Sequence, residues 1–125
     1  MIPRIVVVTG DGNRLSVLLQ TLNGAGYMAS GACTFAEGRE LLKLESTDLI
    51  IADERLGSFN GLHLIVSARA SDPRLKAIVM SHARDAALEH DAELLTVGVL
   101  VQPTEPSAWL SSISSVLGGP QEFIH

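Results

Sequence analysis

Cysteine is almost missing from this chain. Its 125 residues include one, Cys33, which excludes an intramolecular disulfide and a cysteine-built zinc site. Aromatic residues are scarce as well, at 4% of the chain, so the core is expected to be aliphatic, built from Val, Ile, Leu and Ala. Positive charge is in short supply: nine Lys and Arg face fourteen Asp and Glu, for a formal net charge of −5. A nucleic-acid-binding domain would usually carry a basic face, so nucleic acid is not an expected partner. Long apolar runs are absent too. The longest, Leu94 to Val101, contains Thr96 and Gly98 and falls far short of the ~20 residues that span a bilayer. No charged segment followed by an apolar one opens the chain, so no signal peptide is expected. What remains is one globular domain, expected to be cytoplasmic, without a membrane partner and large enough to bury roughly two-thirds of its unfolded surface.

Short apolar runs alternate with longer amphipathic ones. Ile5-Val6-Val7-Val8 is continuous and β-branched, which predicts a strand buried on both faces. Leu15, Leu18, Leu19 and Leu22 then recur at helical spacing over Asn13 to Gly24. Met28 to Ala32 is placed as a second strand by position more than by composition. Thr34 and Glu37 fit a capping box that opens a second helix reaching about Leu44. Leu49 to Ala52 predicts the third strand, running straight into Asp53. A loop with Gly57, Ser58, Asn60 and Gly61 follows, then a helix carrying Leu62, Ile65 and Val66. Ala77 to Met80 is the fourth strand, Asp85 to Leu94 the fourth helix and Val97 to Val101 the fifth strand. Pro106 suits the first turn of a last helix, with Trp109, Leu110, Ile113 and Val116 as its apolar stripe.

Five strands alternating with five helices predict an α/β domain with a parallel sheet and helices on both faces. In such sheets chemistry sits beyond the carboxyl ends of the strands. Those ends are Thr9-Gly10-Asp11, Asp53-Glu54-Arg55, Ser81-His82 and Gln102-Pro103.

The strand ends carry a resemblance. The run from Asp48 through Asp53 to Leu62, with Asn23-Gly24-Ala25-Gly26-Tyr27, Met80-Ser81 and Gln102-Pro103, resembles the response-regulator receiver domain of two-component signalling. The resemblance covers residues 4 to about 117; residues 118–125, opening on Gly118-Gly119-Pro120, are expected to be a tail or the start of a linker. It implies a flavodoxin-like (βα)5 fold of strand order 2-1-3-4-5. It also implies that Asp53 is the phosphoryl acceptor and that the Ser81 hydroxyl contacts a phosphoryl oxygen.

The chemistry around Asp53 departs from the family pattern. Forming an aspartyl phosphate brings a carboxylate against a dianion, and positive charge must offset the repulsion. The family supplies it with Mg²⁺, held by acids at the end of strand one, and with a lysine at the end of strand five. Here the acids align with Thr9 and Gly10, and the lysine with Gln102. A hydroxyl and a hydrogen atom cannot replace carboxylates around a hard cation, and an amide carries no charge. The family's switch aromatic aligns with Val99, and its loop proline with Gly57. If each lost contact cost ~3 kcal/mol, the rate would fall roughly a hundredfold per contact. The expectation is a degenerate receiver, not an enzyme, whose pocket has gone from many charges to few.

Several residues are open to two readings. Asp11 either caps the first helix or joins Asp53 and the Arg55 carbonyl in a weak cation site; no metal is otherwise expected. His82 either faces solvent or, protonated below about pH 6.5, stands in for the missing cation. His63, His90 and His125 lack metal-ligand spacing, and Trp109 is expected in the core. The resemblance implies a protein partner: a histidine kinase, a phosphotransfer protein or an output domain. Contact, or a homodimer, would form through the helix 4–strand 5–helix 5 face, about Asp85 to Leu117. Two alternatives stand beside this. One is a conventional receiver phosphorylated on Asp53 with Mg²⁺; the other is a flavodoxin-like nucleotide or small-molecule binder at the Gly10–Gly12 turn. The latter lacks the third glycine, which is Leu15, and an acid near Ala32.

Overall fold

Side chains on a strand alternate between its two faces, so an unbroken apolar run must be buried on both. Strand β1 (Arg4–Val8) shows this directly. Val6 and Val8 enter one core, and Ile5 and Val7 enter the other. The same division holds for β3 (Leu49–Asp53), where Ile50 and Ala52 face one side and Leu49 and Ile51 the other. The computed structural model describes residues 2–102 and 105–118. Pro103, His125 and residues 119–125 of the expected tail lie outside them.

The chain runs β1, α1 (Gly12–Gly24), β2 (Met28–Ala32), α2 (Phe35–Leu44), β3, β4 (Arg55–Leu56), β5 (Phe59–Asn60), α3 (Gly61–Ser71), β6 (Lys76–Ser81), α4 (Ala86–Leu95), β7 (Gly98–Val101) and α5 (Pro106–Val116). The main sheet is five-stranded and parallel, in the order β2-β1-β3-β6-β7. Counted within that sheet alone, this is the expected 2-1-3-4-5. Leu18 and Leu22 of α1 pack with Trp109 and Ile113 of α5 on one face. Helices α2, α3 and α4 cover the other, through Leu42, Leu64, Ile65, Leu88 and Ala92.

Three local features differ from the sequence expectation. The loop after β3 contains an antiparallel mini-hairpin, β4–β5, whose two strands are too short to show a periodicity. Its turn holds Gly57 at φ 65°, a left-handed conformation open to glycine and strained for other residues. The fifth strand of the main sheet begins at Gly98 rather than Val97, because the Val97 N–H bonds back to the Ala92 carbonyl at 2.8 Å as part of the α4 cap. Thr34 does accept from the Glu37 N–H at 3.1 Å, but the Glu37 carboxylate accepts from Cys33, one residue before the cap.

Strand order reverses between β1 and β3, since β1's crossover leads outward to β2 and β3's leads away to β6. The carboxyl ends of β1 and β3 therefore flank a crevice. Register fixes what stands there: Val8 pairs with Ala52, so Thr9 and Asp53 follow side by side. The chain leaving Asp53 turns back tightly, with the Gly61 N–H donating to the Glu54 carbonyl at 2.8 Å. A Cβ at Gly61 would lie 1.9 Å from the Asp53 carbonyl oxygen, which is backbone and cannot yield. Gly61→Ala should therefore destabilise the fold by about 1–3 kcal/mol, read as a lower urea midpoint at unchanged slope. A variant as stable as wild type would show that the β3–α3 loop is not held this closely.

Candidate functional site

Asp53 ends β3 with 7% of its surface exposed. A carboxylate so buried is expensive to keep charged unless both oxygens find donors. They do. The Thr9 hydroxyl donates to Oδ2 at 2.5 Å, and Arg14 Nη1 donates to Oδ1 at 3.1 Å. Thr9 is completely buried, and the same hydroxyl oxygen accepts from the Asp11 N–H at 3.2 Å.

Helix α1 places the arginine. Asp11 is its N-cap, and Asp11 Oδ1 accepts from the N–H groups of Asn13 and Arg14 at 3.0 and 3.1 Å. Arg14 thus sits in the first turn, where a helical side chain leans back toward the N-terminus. That direction carries its guanidinium over the tip of β3. Nη2 lies 3.9 Å from Asp11 Oδ2, a looser approach on a side chain half exposed to solvent. The expectation of a pocket with little positive charge is corrected here: Asp53 has a cation, and it is Arg14. One signal in the sequence pointed to it. A basic residue in the first turn opposes the helix dipole, and α1 has no acid there within the helix to balance it.

The other candidates are distributed around this pair. Gly10 is exposed, and an added Cβ there would meet only the Cys33 carbonyl at 3.9 Å, so the position has room for a side chain. Ser81 is buried, but its hydroxyl donates to the Ala83 carbonyl at 2.7 Å and lies 3.4 Å from Glu54 Oε1. It makes no bond to Asp53. Gln102 holds the end of β7 through its N–H, which donates to the Ser81 carbonyl at 2.7 Å. Its side-chain amide nitrogen is buried without an acceptor and does not reach Asp53. Val99 is half-buried against the α2–α4 core. His82 is exposed and makes no hydrogen bond or ion pair among the described residues, to Asp53 or to any other group. Arg55 is exposed in β4, opposite Asn60. Asp11 takes the capping reading. In that role its Oδ1 occupies the Asn13 and Arg14 N–H groups beside the Gly10–Gly12 turn.

Receiver domains generally use Mg²⁺ for phosphorylation. Mg²⁺ requires carboxylate or water oxygens in near-octahedral array. Asp53 already carries a donor on each oxygen, one of them the Arg14 cation; Thr9 points its proton at Asp53, Gly10 has no side chain, and Asp11 gives Oδ1 to the cap, with only its exposed Oδ2 outside it. Among the described residues no three His, Cys, Asp or Glu side chains group as a metal site. Mg²⁺ does not fit this pocket as it stands.

A doubly wound five-stranded sheet with an acid buried at the tip of its third strand is the arrangement that the resemblance to receiver domains implies. The comparisons agree. The fold is that of a response regulator receiver domain protein (CheY-like) from Methanospirillum hungatei JF-1, at a TM-score of 0.88, 24% identity and 100% coverage of both chains. The chain is also similar to a response regulator receiver protein from Pseudomonas putida, at 29% identity over 92% of this chain and 98% of that one, with a TM-score of 0.83. Among curated proteins it is similar to the transcriptional regulatory protein GlrR of Escherichia coli K12, 29% identical over 77 residues, which is 62% of this chain. The matched stretch is 17% of that relative's length. No protein-family model matches. Over the described residues the chain is receiver-like in fold, and in sequence where these relatives align. No described helix is long and apolar enough to cross a membrane.

The Thr9 hydroxyl links Asp53 to the start of α1. Thr9→Val keeps its shape and strands a buried carboxylate oxygen, so unfolding by urea should show a loss of about 1–3 kcal/mol. Ser81→Ala, removed from Asp53, should lose less. Equal losses for the two would show that the Thr9 bond to Asp53 carries no special weight.

Proposed function

We propose that this chain is a degenerate receiver that signals by docking to a protein partner and not through Mg²⁺-dependent phosphorylation of Asp53. One observation carries the reading: both oxygens of Asp53 are engaged, by a hydroxyl proton on Oδ2 and a guanidinium on Oδ1. A nucleophilic carboxylate needs a free lone pair aimed at the incoming phosphorus, and a cation placed to receive the phosphoryl oxygens. Here one internal donor already sits on each oxygen, and the cation that would receive phosphoryl oxygens is spent on the carboxylate itself. Asp53 remains the carboxylate in the family's acceptor position, Ser81 the hydroxyl in its contact position, and Thr9, Gly10, Val99 and Gln102 the altered positions around them.

Without phosphoryl control, the conformation is set by packing or shifted by whatever binds it. The docking face we favour is α4, β7 and α5. Its support is the exposed end of α4, where Leu94 is 70% and Leu95 37% accessible. The partners of matching chemistry are a histidine kinase, a phosphotransfer protein or an output domain.

Incubation with acetyl phosphate and Mg²⁺, followed by intact mass, tests the reading. The wild-type chain should gain no phosphate, or gain it at least ~100-fold more slowly than a variant with the pocket rebuilt. That variant is Gly10→Asp, Arg14→Ala and Gln102→Lys together, which restores an acid, frees Asp53 and returns the strand-end cation. A phosphate adduct on wild type that disappears in Asp53→Ala would overturn the proposal.

A further inference from the structure

We infer that Arg14 is the resident counter-cation of this pocket, a tethered substitute that holds Asp53 permanently as a bound divalent cation would hold it only on demand. The inference rests on the reading of the domain as a degenerate receiver and deepens it, since it names what replaces the metal and therefore what the domain no longer senses.

Three observations carry it. The pair is largely withdrawn from solvent, with Arg14 16% and Asp53 9% exposed in their side chains, so solvent screens it less than a surface pair. One guanidinium spans two acids: Nη1 meets Asp53 at 3.1 Å and Nη2 approaches Asp11 at 3.9 Å. Those carboxylates flank the crevice from β1's end and from β3, the two sides a bridging metal would have to join. Finally, Arg14 sits where the dipole of α1 disfavours a cation. A position that is unfavourable for its own helix is retained by the ion pair it makes elsewhere.

The other charged groups nearby do not compete. Glu54 is half-buried and turned to Ser81, Arg55 is exposed, and Gln102 carries no charge. Asp11, Asp53 and Arg14 therefore sum to a single negative charge, and Asp11, half exposed, faces water. A free Mg²⁺ would have to displace a group already held at high effective concentration by its own backbone, and would gain only two carboxylates in return. The tethered cation wins at millimolar metal, and the crevice keeps one arrangement whether Mg²⁺ is present or not.

The experiment is thermal unfolding of the full chain with 0 to about 10 mM Mg²⁺, with Mn²⁺ binding read in parallel by the loss of its free-ion paramagnetic resonance signal. Wild type should be indifferent to Mg²⁺ and should bind no Mn²⁺. Arg14→Ala should melt lower by roughly 10 °C in metal-free buffer, recover part of that loss with Mg²⁺, and bind Mn²⁺. The recovery should vanish in Arg14→Ala/Asp53→Asn. Wild type stabilised by several degrees by Mg²⁺ would overturn the inference. So would an Arg14→Ala protein as stable as wild type. If Arg14→Ala does not fold, Asp53→Asn and Arg14→Gln are compared by a double-mutant cycle: a combined loss smaller than the sum supports the pair, and an additive loss refutes it. The phosphodonor assay separates the two readings. Wild type labelled in a chelator keeps Arg14 as the cation and ends the docking proposal; wild type labelled only with Mg²⁺ ends both.

Discussion

A carboxylate buried at the tip of a β-strand cannot stand alone. Desolvation penalises its charge by several kcal/mol, and the protein must return that energy locally through donors or a cation. In this domain Arg14 and Thr9 meet the demand at Asp53, one oxygen each. The consequence reaches beyond the pocket. Thr9 also receives the Asp11 N–H, and Asp11 caps α1, so the acid at the end of β3 helps fix the start of the first helix. Charge neutralisation and chain direction are therefore one problem with one solution.

The sheet makes that solution possible. Register between β1 and β3 brings residues 44 apart in sequence into contact, and the order reversal leaves their ends open to the crevice. The loop leaving Asp53 must then clear the site, which it does through the β4–β5 hairpin and the Gly61 turn. On the far side of the sheet Arg69 performs a related task. It donates to the Leu75 carbonyl at 2.9 Å, to Leu95 and to the Thr96 carbonyl at 3.1 Å, holding the C-terminal end of α4 with a positive charge where the helix dipole favours one. Two arginines thus serve opposite ends of two helices. Arg69 works with the dipole, while Arg14 works against it and needs Asp53 to do so.

Much of this is legible in the sequence. Two-faced apolar runs at Ile5–Val8, Leu49–Ala52 and Ala77–Met80 left a parallel, doubly covered sheet as the natural arrangement. Pro106 and Asp85 marked the starts of the last two helices, and Trp109 lies in the core with 5% exposure. The strand-end reading named Thr9, Asp53, Ser81 and Gln102, and in the fold these stand at the carboxyl ends of β1, β3, β6 and β7. It failed on charge. Arg14 belongs to a helix stripe otherwise read for its leucines, and its partner lies 39 residues away, so no local pattern joins them. Ser81 was legible as a position but not as an orientation, since its hydroxyl turns to Ala83 and Glu54.

The amino-acid order alone determined the element sequence, the aliphatic two-sided core and the scarcity of acids at the end of β1. These follow from periodicity and from residue type, which act over a few neighbours. Only the tertiary structure decided which cation faces Asp53 and which way each strand-end side chain points. Those depend on register across the sheet and on the lean of side chains from α1, and such distances are set when separate segments pack.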